Sequence, residues 1–243
     1  MLYGFLFFSL QYSFYKNVAC FTCQLILAFY SNFSGISLFD PIFLFLFNFV
    51  YSSLPILIYG MTEQKYPDHV LLQYPELYRN NFDNALMKKK MFFQWVGLGV
   101  WHSICSFLPW LYVWNEGVET ASTSGHSLFS LGAVVAGTSC AIINLKILIE
   151  SKYWSIWLIL SVFLSIVAYV VITLAYSAFY LESSILDTTD LFYTYIYMCD
   201  SRIVINILVT LISLILALLP DVIIVILCDM KMRLNQKKKT MPM

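Results

Sequence analysis

MLYGFLFFSLQYSFYKNVACFTCQLILAFY, residues Met1 to Tyr30, is an apolar run with one lysine, Lys16, in its interior. About 20 apolar residues suffice for a helix to cross the hydrocarbon layer of a bilayer, so this run reads as a membrane span. A lysine at the centre of a span costs ~3 kcal/mol on insertion scales. Lys16 therefore requires a partner or a task, and any functional reading has to account for it.

The rest of the chain follows the same pattern. Of its 243 residues, 60% are hydrophobic and 12% charged, which is too few charges for a soluble domain of this length. Six spans are expected, at about 5–30, 41–60, 91–114, 128–149, 154–180 and 203–228. Each must be helical, because lipid offers no partner to a bare backbone N–H or C=O. The fold class is all-α, a polytopic membrane bundle. Residues 1–10 have neither a basic lead nor a small-residue cleavage site, so they read as part of the first span and not as a cleavable signal.

Charge sets the expected orientation. The loop 61–90 carries Lys65, Arg79, Lys88, Lys89 and Lys90, the loop near 150–153 is flanked by Lys146 and Lys152, and the tail from 231 carries Lys231, Arg233 and Lys237 to Lys239. The intervening loops 31–40 and 115–127 have no Lys or Arg, and 181–202 is acidic. Basic loops stay on the cytoplasmic side, so both termini are expected there. Trp110, Tyr112, Trp114, Tyr153 and Trp154 are expected at membrane interfaces as an aromatic belt. No nucleic-acid partner is expected, although the zero net charge says nothing on that point.

Polar residues inside the spans are the candidates for chemistry. Lys16, Cys20 and Gln24 share a helix face, with Asn17 beside them. In the second span Asn48 and Ser52 are four apart, followed by Pro55. Pro55 cannot donate to the carbonyl one turn back, so a carbonyl near Tyr51 should be free for another partner. A loosened polar helix at membrane depth is a recurrent feature of transport sites. Asn144 and Asn206 read as interhelical glue, His102 as a packed residue with a local hydrogen bond, and Asp221 as an interfacial anchor. Cys20 and Cys23 have a CxxC spacing but no companion ligands, so they read as packing residues. In the fourth span Gly132, Ala136, Cys140 and Ala133, Gly137, Ala141 form two rows of small residues that allow close helix packing.

Several stretches, in order along the chain, resemble the membrane region of type IV P-type ATPases, the phospholipid flippases. Gln11-Tyr-Ser-Phe-Tyr-Lys-Asn17 resembles their fifth membrane helix, and Phe33-Ser-Gly35 with Asp40-Pro41 the loop after it. Asn48 and Ser52-Ser-Leu-Pro-Ile56 are similar to the sixth helix, Tyr74-Pro-Glu-Leu-Tyr78 to the following loop, and Phe93-Gln-Trp95, Gly99 and His102-Ser103 to the seventh. The resemblance implies helices five to ten, a domain over 1–230 with a basic tail at 231–243, and a place in plasma-membrane or Golgi and endosomal bilayers. It implies that Lys16, Asn17, Asn48 and Ser52 belong to the path of a phospholipid headgroup moving from the exoplasmic to the cytoplasmic leaflet. A membrane accessory subunit is a partner expected from the family.

The chain also departs from the family. A complete flippase is several times longer and carries an Asp-Lys-Thr-Gly phosphorylation loop, a nucleotide-binding domain and an actuator domain, none of which this sequence contains. The chain itself is expected to hold no cofactor, since ATP and Mg2+ belong to those domains, and no catalytic or metal-binding residue is expected in it. Its first ten residues replace the basic, polar lead of the family. The alternatives are a free-standing six-span protein, or a truncated remnant with a structural or interfering role. An intramembrane enzyme is disfavoured, because His102 and Ser103 are adjacent and point apart on a helix.

Overall fold

A computed structural model describes residues 2–63, 89–120, 128–182 and 203–240. The Tyr74–Tyr78 stretch, most of the basic loop 61–90, the loop around 121–127, and Cys199 lie outside the described residues.

All secondary structure among the described residues is helical: α1 (Leu2–Tyr30), α2 (Pro41–Leu46), a π-helical turn (Phe47–Tyr51), α3 (Ser53–Thr62), α4 (Lys89–Thr120), α5 (Leu128–Glu150), α6 (Ile156–Glu182) and α7 (Ile203–Thr240). α2, the π turn and α3 form one rod, so the described helices make six rods. Five are long and apolar enough to cross a membrane: Pro41–Thr62, Lys89–Val113, Leu131–Glu150, Ile156–Ala175 and Val204–Lys231. The sixth, α1, has the length, at 29 residues. It falls short on apolarity, because Gln11, Ser13, Lys16, Asn17 and Gln24 dilute its hydrophobic run. α7 continues without a break through the basic tail to Thr240.

α5 is the centre of the bundle and touches α1, α3, α4, α6 and α7. A helix hydrophobic on every side belongs in the interior. Leu131, Val134, Val135, Ile142, Ile143 and Ile147 of α5 are accordingly all buried. α1 lies along α4, and α3 lies against α6. The outer faces of α6 and α7 present Trp157, Phe163, Val171, Leu208 and Ile215.

Local signals explain the entry into the second rod. Asp40 caps α2 by accepting from the Ile42 N–H at 3.0 Å, with Pro41 in the first helical position. The preceding loop turns through positive φ at Asn32 (50°), Phe33 (57°) and Gly35 (75°). Gln24 ties that loop to α1. Its Nε2 donates to the Ile36 carbonyl at 2.8 Å, and its Oε1 accepts from the Leu38 N–H at 2.6 Å.

The aromatic belt needs a correction. Tyr112, Tyr153 and Trp154 are exposed, but Trp110 is buried and its Nε1 donates to Thr138 Oγ1 at 3.0 Å. An indole with an internal acceptor has no need of the interface.

The small-residue rows of α5 have specific uses. A Cβ on Gly132 would stand 1.9 Å from the Leu38 carbonyl oxygen, and one on Gly137 would stand 2.7 Å from the Tyr169 ring. Gly97 faces open space. Gly132→Ala is therefore expected to lower the thermal unfolding midpoint of the detergent-solubilised chain clearly, since backbone blocks the new methyl. Gly137→Ala should lower it less, because a ring has some room to rotate. Gly97→Ala should leave it unchanged or raise it, by roughly the 1 kcal/mol helix preference for Ala over Gly.

Candidate functional site

Lys16 is the middle residue of α1, and its side chain turns inward. It is 8% exposed, and Nζ donates to Ser52 Oγ at 2.8 Å. Ser52 Oγ in turn donates to the Phe47 carbonyl at 2.7 Å. The hydroxyl thus accepts from an ammonium and passes its own proton to a carbonyl, using the two capacities a serine has. The Phe47 ring lies 5.8 Å from Nζ. Among the described residues Ser52 is the one hydrogen-bond partner of the ammonium, a group with three N–H donors.

The backbone around Ser52 explains why that hydroxyl is placed there. Phe47–Tyr51 is a π-helical turn, which widens the hydrogen-bond spacing by one residue. The Ser52 to Phe47 bond spans five residues and follows the same spacing. Pro55 removes the donor that the Tyr51 carbonyl would have had in a regular helix. As the sequence suggests, that carbonyl finds other partners. It accepts from Asn144 Nδ2 at 2.9 Å, from the Ser165 hydroxyl, and more distantly from Cys140 Sγ at 3.9 Å.

The four residues expected at the site do not all converge. Lys16 and Ser52 are hydrogen-bonded. Asn17 is half-buried, and its Oδ1 is buried with no hydrogen-bond partner among the described residues. It lines an open groove of about 310 Å³ with Val18, Phe21, Thr22 and Leu25. Asn48 is exposed on the outside of the π turn. Cys20 and Cys23 are buried free thiols, and Cys23 Sγ lies 3.0 Å from Ser103 Oγ.

A second polar cluster joins four helices, and several expectations change there. Asp221 is not an interfacial anchor. It is 3% exposed, with Oδ1 2.7 Å from Lys146 Nζ and Oδ2 3.2 Å from His102 Nε2. Lys146 is correspondingly buried and does not flank a solvated loop, whereas Lys152 is exposed. His102 makes no merely local bond. Its Nδ1 lies 2.5 Å from the hydroxyl of Tyr15, the neighbour of Lys16. The His102–Asp221 approach is off the hydrogen-bond axis, so Lys146 carries the pairing. The Lys146 ammonium also faces the rings of Trp95 at 4.5 Å and Tyr15 at 5.2 Å.

A family model described as "Phospholipid-translocating P-type ATPase C-terminal" matches residues 7–233. The chain belongs to that family. Among curated proteins, human phospholipid-transporting ATPase IH is 30% identical over 218 residues, covering 90% of this chain and 19% of its own length. Human phospholipid-transporting ATPase IK is 34% identical over 173 residues, covering 71% of this chain and 13% of its own. The mouse form of ATPase IH is 32% identical over 145 residues. The chain thus spans no more than about a fifth of the length of these flippase-family relatives. The match establishes a multi-pass integral membrane protein related to the C-terminal part of phospholipid-transporting ATPases.

Within this family member, the Lys146–Asp221 pair gives a sharp stability test. Removing one partner of a buried ion pair strands the other charge and costs ~3–5 kcal/mol, while replacing both with apolar groups is often neutral. Lys146→Met and Asp221→Leu are each expected to lower the thermal midpoint of the purified chain strongly. The Lys146→Met/Asp221→Leu double variant should recover most of the loss. A double variant as unstable as the sum of the singles would show that the two groups are not energetically paired.

Proposed function

We propose that this chain is the C-terminal membrane portion of an ATP-driven phospholipid flippase, and that Lys16 and Ser52 contribute part of the path of the lipid headgroup. The observation that carries the reading is the buried Lys16 ammonium held by the Ser52 hydroxyl at 2.8 Å, beside a helix whose regular bonding is interrupted. A polar headgroup crossing a bilayer must exchange water for protein partners along its way, since an unpaired polar group in hydrocarbon costs several kcal/mol. An ammonium has three donors and can take a phosphate or a carboxylate. Ser52 holds the ammonium while no headgroup is bound and retains a lone pair for water or ligand. Asn17, whose Oδ1 has no partner among the described residues and which lines a groove, adds an acceptor for a headgroup amine or hydroxyl. Asn48 joins the path only where another element covers the outside of the π turn.

In this reading, ATP and Mg2+ act on cytoplasmic domains outside this chain, and transport runs from the exoplasmic to the cytoplasmic leaflet. Both ends of the chain lie on the cytoplasmic side, and an accessory membrane subunit is a further partner. The energy of hydrolysis reaches the site through movement of α1 against the broken rod, the two elements that Lys16 and Ser52 join.

The test exchanges residues 7–233 for the matching region of human phospholipid-transporting ATPase IH. Lipid-stimulated ATP hydrolysis is then measured over a phospholipid titration. Hydrogen bonds to a charged group contribute enough that Lys16→Met should weaken lipid stimulation by roughly tenfold to a hundredfold. Lys16→Arg should recover part of it, because the charge returns in a wider, planar form. Basal, lipid-independent turnover should change little. Unchanged stimulation in Lys16→Met would refute the headgroup role.

A further inference from the structure

We infer that Asn144 of α5 and Ser165 of α6 are positioning residues for the Lys16–Ser52 site, acting through the Tyr51 carbonyl. The inference rests on the reading of Lys16 and Ser52 as a headgroup contact and adds two residues from helices that do not themselves touch the headgroup.

The argument begins with the peptide bond. The Tyr51 carbonyl and the Ser52 N–H belong to one planar unit, so a force that fixes the carbonyl fixes the plane from which Ser52 projects. Pro55 leaves that carbonyl without an in-helix donor, and Asn144 and Ser165 supply donors from two neighbouring helices. Both residues are buried, at 0% and 1% exposure. They are also joined to each other, with Asn144 Nδ2 3.3 Å from Ser165 Oγ. A buried amide nitrogen is costly unless bonded, and the shortest bond of Asn144 Nδ2 goes to the carbonyl, with Ser165 Oγ and Cys140 Sγ farther away and Oδ1 without a partner among the described residues. The clamp meets the rod one residue before the hydroxyl that holds Lys16.

An ordinary interhelical bond predicts a loss of stability and nothing more. A positioning bond predicts, in addition, that its loss is felt at the headgroup site only while Ser52 is present. Residues that act through one another give non-additive effects in a double-mutant cycle.

The experiment uses the full 243-residue chain in phosphatidylcholine nanodiscs doped with phosphatidylserine, with native mass spectrometry reading the phosphatidylserine retained per chain. Lys16→Met and Ser52→Ala should each reduce retention. Asn144→Ala and Ser165→Ala should each reduce it about threefold to fivefold, the loss expected from one displaced hydrogen bond. In a Ser52→Ala background, Asn144→Ala should reduce retention no further, although it should still lower the thermal midpoint. Ser165→Ala removes one hydroxyl from α6 and serves as the milder variant should Asn144→Ala fail to fold. The inference is overturned if Asn144→Ala and Ser165→Ala leave retention unchanged, or if each reduces it by the same factor with and without Ser52. Retention that ignores both Lys16 and Ser52 removes the headgroup reading itself, and the positioning role with it.

Discussion

The Tyr51 carbonyl has no donor within its own helix, because Pro55 stands where that donor would be. In water such a group would be solvated at little cost. In hydrocarbon it must be satisfied by protein, and the neighbouring helices arrange themselves to do so. Asn144 and Ser165 reach it from α5 and α6. The π turn before it places the Phe47 carbonyl to receive Ser52. One missing N–H thus draws three helices together and leaves a serine hydroxyl facing Lys16. The broken rod is held by its neighbours as much as by its own backbone.

The same rule governs the charges. Among the described residues the side chains of Lys16, Lys146 and Asp221 lie deep in the bundle and are treated in two ways. Lys146 and Asp221 neutralise each other at 2.7 Å and are packed beneath the rings of Tyr15 and Trp95. Among the described residues no anion meets Lys16, which is held by a hydroxyl and a ring. A saturated pair has little left to offer a ligand. An ammonium not neutralised in such a pair does, and that separates a structural lysine from a candidate binding lysine in the same bundle. Tyr15 links the two regions, bonding His102 while its neighbour Lys16 bonds Ser52.

Much of this was legible in one dimension. The all-helical class and the orphaned carbonyl near Tyr51 follow from residue types and helix spacing, and the structure shows them, with the helix interrupted at Phe47–Ser52, before Pro55. Asn144 was legible as interhelical glue, although its target is a backbone carbonyl that a pattern of side chains does not reveal. The Lys146–Asp221–His102 cluster was not read. Its members lie on α5, α7 and α4, and no sequence periodicity links different helices. A signal did exist: Asp221 and Lys146 are opposite charges near the ends of apolar spans, and mutual neutralisation is the least costly way to keep both. Trp110 was misplaced for a similar reason. Its position near a span end suggested the interface, but an internal acceptor, Thr138, decides where an indole goes.

α1 shows how far apolarity and membrane insertion can separate. It has the length to span, yet it lacks a continuous stretch as apolar as those of the other five rods. Its polar groups are mostly spoken for by other elements: Lys16 by Ser52, Gln24 by the loop before α2, and Tyr15 by His102. A helix whose polar groups are satisfied only across the bundle gains less from lipid alone than from lipid and partners together. Its stability in the membrane then depends on α3 and α4 being in place. That dependence also makes it a suitable moving part. Bonds made between helices break and reform when one helix shifts, whereas bonds within a helix do not. The Lys16–Ser52 contact is of the first kind, and a displacement of α1 along the broken rod would break it without unfolding either element.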